Sequence, residues 1–476
     1  MEEVLELLQL LARKGVKLSV EGDDLNCYAQ KGALTEELRE RIFRNKSQII
    51  DALKVHRNFQ SAVSHPEEHS KPQTGKREKS NAYFVVPVDL DAEAVLDAAI
   101  QPSASENCVD FTSARTIFLT GSTGFLGAYL LHDLLVATDA CVYCLIRCRS
   151  EKDGSERIKK NLLKYGLWSD DFPSRIVPVP GDLSRPFLGV GEEVFDTLCN
   201  VIDAVYHSGA VVNFVYPYNN LKDSNVRGTQ EVIRLACCIR RKPLNFVSTV
   251  GIFPPATDRN ARVLESDPPP SNWQQLTIGY RQSKWVAEKI VTIAADRGLP
   301  VRIYRPGIVT GDSATGIWNT DDFLARVIKG CIQLGSAPDR DAIIDMVPVD
   351  YVSKAIVHLS RQKELQSNVF NVVNPNYISA GELGRLILSL GHKMRVVSYG
   401  DWRKELFKDA ETSSENALYP LLAMFAEDAP LDLVPAFDCR YTLEGLKGTP
   451  IVCPEINTDL MATYLTYFRN CGFLDS

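Results

Sequence analysis

The chain has 476 residues, 45% of them hydrophobic and 24% charged, with a formal net charge of −7; that is long enough for more than one domain and a sizeable core. The acidic balance argues against non-specific nucleic-acid binding, and no apolar run of about 18 residues suggests a membrane span. The Met1-Glu2-Glu3 start has the wrong charge for a secretory signal, so a cytoplasmic protein is expected.

The N-terminal stretch reads as a unit of its own. Val4, Leu5, Leu7, Leu8, Leu10 and Leu11 give residues 2–13 one broad apolar face, which predicts a short helix ended by Gly15. Residues 16–20 and 25–29 alternate around Glu21-Gly22-Asp23-Asp24, which predicts a hairpin. Thr35 suits an N-cap, and Leu38, Ile42, Ile49, Ile50 and Leu53 then give a second helix. So small a core is marginal and calls for a partner. Through Gly15-Val16-Lys17-Leu18, Glu21-Gly22-Asp23 and Gly32-Ala33-Leu34-Thr35, residues 1–57 resemble the tubulysin-type docking domain of nonribosomal peptide and polyketide assembly lines. The resemblance implies capture of an upstream assembly-line protein's C-terminal tail by strand addition. Residues 58–85 are expected to be a flexible linker, since residues 64–80 contain no apolar side chain that could offset ordering entropy.

From residue 86 to 476 the pattern predicts a doubly wound α/β fold, with a cofactor-binding core at about 112–310 and a smaller, mainly helical substrate region at about 311–476. A short helix is expected at 90–96. Residues 116–120 are a β-branched apolar run, followed by Gly121, Gly124 and Gly127 and then by Leu126, Leu130 and Leu134 at helical spacing. Strand, glycine turn and helix in that order form a dinucleotide-binding signature. Gly121 permits the tight turn, Gly124 admits a pyrophosphate, and Gly127 lets helix and strand pack closely; Thr123, Phe125 and Leu126 complete the loop. The next strand, 141–147, ends on Arg147 where an NAD-selective site would carry a carboxylate. A guanidinium there can bind a 2′-phosphate, so NADPH is favoured, with Arg157 as a second candidate. Asp182, before Leu183, suits either an adenine amino group or a helix cap. The small residues Gly209 and Ala210 after strand 204–207 leave room for a nicotinamide ribose. The twelve cysteines are scattered; Cys141 and Cys144 fall on opposite strand faces, so no metal site is expected.

Strand 244–250 ends in hydroxyls, among them Thr249. Tyr280 and Lys284 then lie one helical turn apart on one face. A lysine charge there should lower the phenol's pKa and make Tyr280 a proton donor near neutral pH, with Thr249 bonding the substrate oxygen. Tyr218 and Lys222 share the spacing but fall in a stretch, 216–220, that reads as a turn.

Thr120-Gly121-Ser122-Thr123-Gly124-Phe125-Leu126-Gly127, Gly181-Asp182-Leu183, His207-Ser208-Gly209-Ala210, Asn225-Val226-Arg227-Gly228-Thr229, Ser248-Thr249-Val250, Gly279-Tyr280 with Ser283-Lys284-Trp285, and Arg305-Pro306-Gly307 together resemble the thioester reductase domain of extended short-chain dehydrogenases. The resemblance implies that NADPH reduces a thioester on a phosphopantetheinyl carrier protein to an aldehyde, in some members onward to an alcohol. It also implies catalytic roles for Thr249, Tyr280 and Lys284, and a nicotinamide pocket at Pro306 and Gly307. No carrier attachment sequence is evident and only about 85 residues precede the reductase, so the substrate is expected to arrive on another protein. Two rivals are a sugar-nucleotide epimerase or dehydratase, against which Arg147 weighs, and a non-redox docking or cyclisation protein, against which the complete Thr249, Tyr280 and Lys284 set weighs.

Overall fold

The computed structural model describes residues 17–21, 24–28, 38, 41–42, 88–104, 112–214, 216–256, 258, 261–412, 415–425 and 434–475. Two units emerge, Met1–Asp89 and Leu90–Ser476. In the first, Lys17–Glu21 and Asp24–Tyr28 pair antiparallel with Glu21 opposite Asp24, the register of a two-residue hairpin turn. Leu38 and Ile42, four residues apart and both in helical conformation, are buried. The expected helix at 2–13 and the linker at 58–85 lie outside the described residues.

The second unit is built on seven parallel strands: β1 (Thr116–Thr120), β2 (Cys141–Ile146), β3 (Ile176–Pro180), β4 (Ala204–His207), β5 (Leu244–Val247), β6 (Val301–Pro306) and β7 (Val369–Val372). Their order is β7-β6-β5-β4-β1-β2-β3, and every pairing is parallel. The chain winds outward in both directions from β1, so the crevice where ligands bind in such sheets opens between the ends of β1 and β4. The strands are apolar almost throughout because helices cover both faces. The helix after β1, α1 (Phe125–Ala137), is buried over most of its circumference, including Asp133, whose carboxylate accepts from Ser353 Oγ at 2.6 Å. The other crossovers are α2 (Glu151–Lys164), α3 (Glu192–Val201), α4 (Gly228–Cys237) and α5 (Gly279–Asp296). Among the described residues no helix is long and apolar enough to cross a membrane.

Two local expectations are corrected. The helix expected at 90–96 stops at Glu93, Val95 N turning to Glu93 O, and the chain beyond is held by side chains: Gln230 donates to Val95 O, and the Arg297 guanidinium to the carbonyls of Leu96, Asp97 and Ile100. The segment after Pro217, read as a turn, is a short helix, Tyr218–Lys222, running through a π-turn, Asp223–Arg227, into α4. Tyr218 OH donates to Glu93 at 2.9 Å and Lys222 pairs with the same carboxylate, so this tyrosine and lysine anchor the 90–93 helix. The substrate region is mainly helical, with a short strand pair among its helices. Around α6 (Phe323–Leu334), α7 (Val349–Leu359), α8 (Ala380–Ser389), α9 (Tyr399–Thr412) and α10 (Thr458–Asn470), Ser336–Asp339 pairs in parallel with Arg395–Ser398. Its core gathers Trp318, Trp402, Tyr464 and Phe468, each buried.

Candidate active site at the switch point of the sheet

A cavity of about 740 Å³ opens at the carboxyl ends of the strands. Its first half is shaped by the turn after β1. Gly121 sits at φ +83°, and a Cβ there would fall 2.8 Å from Gly209 N, so only glycine lets the ends of β1 and β4 approach so closely. A Cβ on Gly127 would lie 1.9 Å from the Gly121 carbonyl, so α1 rests directly on the turn. Gly124 differs: its added Cβ would meet only Gly121 O, at 3.2 Å. It occupies the N-cap of α1, where no side chain caps the helix. The helix therefore offers unpaired N–H groups and the positive end of its dipole to the cavity, as a pyrophosphate requires. Asn161, reaching from α2, pins the turn by donating to Ser122 O at 3.2 Å and Gly124 O at 3.3 Å. Nothing in the local sequence pattern pointed to it.

All but one of the residues expected to touch cofactor or substrate line this cavity: Gly121, Thr123, Gly124, Phe125, Leu126, Gly127, Arg147, Asp182, Leu183, Gly209, Ala210, Thr249, Tyr280, Lys284, Pro306 and Gly307. Arg157 borders an adjoining hollow of about 510 Å³, together with Arg147, Arg149 and Arg185. The Arg157 guanidinium donates to the Arg147 carbonyl oxygen, which draws the two side chains expected at a 2′-phosphate to one place. Asp182 Oδ1 accepts from the Ser184 N–H at 2.9 Å and from its hydroxyl at 2.8 Å. One oxygen of that carboxylate therefore stabilises its own turn, and it caps no helix, since the next helical turn begins at Pro186 after Arg185. Under the floor, buried His207 is held between Thr120 Oγ1 (2.7 Å) and Thr229 Oγ1 (3.0 Å), while Gly209 N donates to Thr120 Oγ1 at 2.9 Å. Burial, then the Lys284 charge, pulls the imidazole down to about 3, so it is a neutral strut.

Thr249, Tyr280 and Lys284 converge where the cofactor half ends. Gly279 seats the start of α5, since a Cβ there would fall 2.4 Å from Tyr216 O. Thr249 Oγ1 accepts from Gly251 N at 3.1 Å. Lys284 Nζ donates to Val247 O at 2.7 Å and lies 4.2 Å from the Phe246 ring centroid. Burial brings its ammonium down to about 7, although Glu288 opposes the shift. The expected depression of the Tyr280 phenol is not present: burial pushes it up to about 12. The reason is that Lys284 is turned onto a backbone carbonyl and is itself driven toward neutrality, so no strong positive charge offsets the desolvation. Tyr280 therefore holds its proton throughout the neutral range.

Glu288, one turn beyond Lys284, was missed by sequence reasoning, although its spacing on the same helical face was the available signal. It is fully buried, accepts from Ser248 Oγ, and receives Arg305 through Nε (2.9 Å) and Nη2 (2.6 Å). This bidentate pair fixes α5 and β6 against the residue preceding Thr249. Asn225, in the π-turn, similarly donates to Ser283 Oγ at 2.9 Å and to Val211 O at 3.0 Å, tying the helix of Tyr280 to the loop after β4.

Comparison with known proteins agrees with this geometry. Residues 119–356 match the family described as Male sterility protein, an NAD-binding family, and residues 4–54 match the TubC N-terminal docking domain. The crystal structure of the terminal R domain from the myxalamid PKS-NRPS biosynthetic pathway shares 44% identity at a TM-score of 0.75, over 81% of this chain and 98% of that one. A linear gramicidin synthase protein of Brevibacillus parabrevis is 41% identical over 390 residues, which are 81% of this chain and 8% of that protein. L-2-aminoadipate reductase of Saccharomyces cerevisiae is 36% identical over 405 residues, 79% of this chain and 28% of that protein. The chain thus spans less than a third of either curated relative. With the glycine turn, the Tyr280–Lys284 helix and the seven-stranded sheet in place, the chain belongs to the Male sterility family of NAD(P)-dependent oxidoreductases, as a terminal reductase domain of the nonribosomal peptide and polyketide kind, and carries a TubC-type docking domain.

Proposed function

We propose that the protein uses NADPH to reduce an acyl or peptidyl thioester, held on the phosphopantetheine arm of a separate carrier protein, to the aldehyde. The observation that carries this reading is that Tyr280, Lys284 and Thr249 line the same cavity as the glycine turn of β1 and α1. The α1 N-terminus at Gly124, which no side chain caps, suits the pyrophosphate. Arg147, with Arg157 bonded to its carbonyl, suits the 2′-phosphate and supports NADPH over NADH.

Bound there, NADPH would supply the hydride; the remaining chemistry falls to the protein. Thr249 and Tyr280 hold the thioester oxygen as negative charge builds on it. Tyr280, protonated because burial favours the neutral phenol, gives its proton to that oxygen and leaves a thiohemiacetal. Protonated Lys284 balances the tyrosinate so formed. The C–S bond then breaks, the carrier thiol leaves with a proton, and the aldehyde is released. Overall, thioester, NADPH and one proton become aldehyde, thiol and NADP⁺.

Residues 1–57 would capture the tail of the upstream protein that brings the carrier, which makes its encounter with the reductase effectively intramolecular at a local concentration on the order of millimolar. The test compares the full chain with a version lacking residues 1–57, both on a small acyl-pantetheine thioester and on the partner's acyl-carrier. NADPH-dependent thiol release from the small substrate is expected to be equal in both. Release from the carrier should fall sharply in the shortened chain at low concentration and recover as carrier is raised. Absence of NADPH-dependent release from either substrate overturns the reductase reading; equal impairment on both substrates overturns the docking role alone.

A further inference from the structure

Beyond Thr249 and Tyr280 the cavity continues between two apolar walls. On one side the Phe214 ring stands edge-on to Tyr280, with centroids 5.7 Å apart at 76°, and lies 5.6 Å from Phe323. Val212, two residues before Phe214, lines the same space and is 59% exposed. On the other side Phe253 lies 6.1 Å from Phe437, and Met424 lines the cavity with them. These side chains come from the loops after β4 and β5, from the start of α6 and from Met424 and Phe437 farther along the chain, so separate parts of the sequence converge on an apolar lining.

The described ionisable groups that reach this end are Asp322, Asp345 and Arg281. Asp322 caps α6, accepting from Leu324 N at 2.9 Å and Ala325 N at 3.4 Å. Asp345 accepts from Asn374 N at 2.9 Å through one oxygen, while its other oxygen, packed against Gly307, has no hydrogen-bond partner among the described residues. Burial drives both carboxyls toward their neutral forms, to about 6 and about 7. Arg281 lies along Gly251, its Cγ and Nε being 3.5 and 3.6 Å from an added Cβ there.

We propose that the acyl group received at this end is uncharged and apolar, an alkyl or aryl chain rather than one ending in a carboxylate or ammonium. The proposal rests on the reading of the site as a thioester reductase. A charged terminus would lose its hydration against the phenylalanine rings, whereas an apolar chain is driven onto them by the release of water.

The full chain, loaded with NADP⁺, would be titrated calorimetrically with non-reducible amide analogues of acyl-pantetheine: octanoyl and phenylacetyl against succinyl and lysyl. The apolar pair is expected to bind at least about 10-fold more tightly, the scale on which a hydrophobic pocket discriminates. Phe437→Ala should narrow that gap by weakening the apolar pair, with NADP⁺ affinity unchanged. Equal binding of the two classes, tighter binding of the charged pair, or no binding of the apolar pair overturns the proposal. The matching thioesters would be assayed separately with NADPH. If none is turned over, the reductase reading fails, while the binding order still decides what this end of the cavity accepts.

Discussion

At one end of the cavity the walls are backbone: the turn through Gly121, Gly124 and Gly127, the loop at Gly209 and the open start of α1. At the other end they are side chains, Phe214, Phe253, Phe323, Met424 and Phe437, drawn from segments more than 200 residues apart in the chain. The first end recognises groups common to every dinucleotide, through N–H donors and close approach, so its chemistry is concentrated in a dozen consecutive residues. The second would meet the acyl group of the proposed thioester, and what it accepts depends on which side chains happen to meet. A backbone site tolerates almost no added atom. A side-chain site is free to change what it accepts.

The largest effect expected from this contrast is at Gly127. Gly127→Ala would drive a methyl group into the Gly121 carbonyl, 1.9 Å away, and backbone cannot yield as a flexible side chain does. A loss of about 3 kcal/mol in unfolding stability is expected, at the upper end for an overpacked core, together with loss of NADPH binding. Gly124→Ala meets only the Gly121 carbonyl oxygen, at 3.2 Å, a contact relieved by a shift of a few tenths of an ångström, so stability should fall far less than in Gly127→Ala while NADPH affinity falls. If the two variants behave alike, the division between a packing glycine and a ligand-facing glycine is wrong.

Next in size is the proton donor. Tyr280→Phe should lower turnover roughly 10²-fold or more, the scale of a positioned general acid, with NADPH affinity nearly intact by fluorescence titration. Tyr218→Phe should cost about 1 kcal/mol of stability for its lost bond to Glu93 and leave turnover unchanged. Arg147→Ala is expected to weaken NADPH by about 1.5–3 kcal/mol, the worth of a hydrogen bond to a charged group, and to leave NADH almost unaffected. Equal losses for both cofactors would remove Arg147 from the 2′-phosphate.

The smallest effect is a change of shape. Lys284 titrates near 7 because burial disfavours its charge. Its ammonium is needed to balance tyrosinate, so kcat/KM should fall as pH rises through that value, where the proton is lost. Lys284→Arg keeps a charge that does not titrate in this range. Its rate should be lower but flat across the same pH window; a persistent fall would assign the limb to another group.

The cofactor end was readable from the sequence because strand, glycine turn and helix must be contiguous, and contiguity is what a single chain displays. The Tyr280–Lys284 pair was readable for a related reason, since one helical turn fixes the spacing. Its electrostatics was not, because the direction of the phenol's shift depends on where Lys284 Nζ points and on how much protein surrounds both groups. Glu288 and Asn161 were passed over as ordinary polar residues on amphipathic helices; only burial of the first and the reach of the second to the glycine turn distinguish them. The stretch at 216–222 was misjudged because Pro217 and two asparagines resemble turn chemistry, whereas tertiary contact of Tyr218 and Lys222 with Glu93 favours a helix there. The apolar acyl end could not be read at all, its members sharing no local pattern.

The most direct test of the central claim follows the hydride itself. The protein would be given NADPH carrying deuterium at the transferable position of nicotinamide C4 and an acyl-pantetheine thioester, with the product trapped as its oxime. One deuterium on the former carbonyl carbon, released together with one equivalent of thiol and nearly lost in Tyr280→Phe, is the result this account predicts. Release of thiol with the free acid as product and no deuterium incorporated would make the site a hydrolase and contradict it.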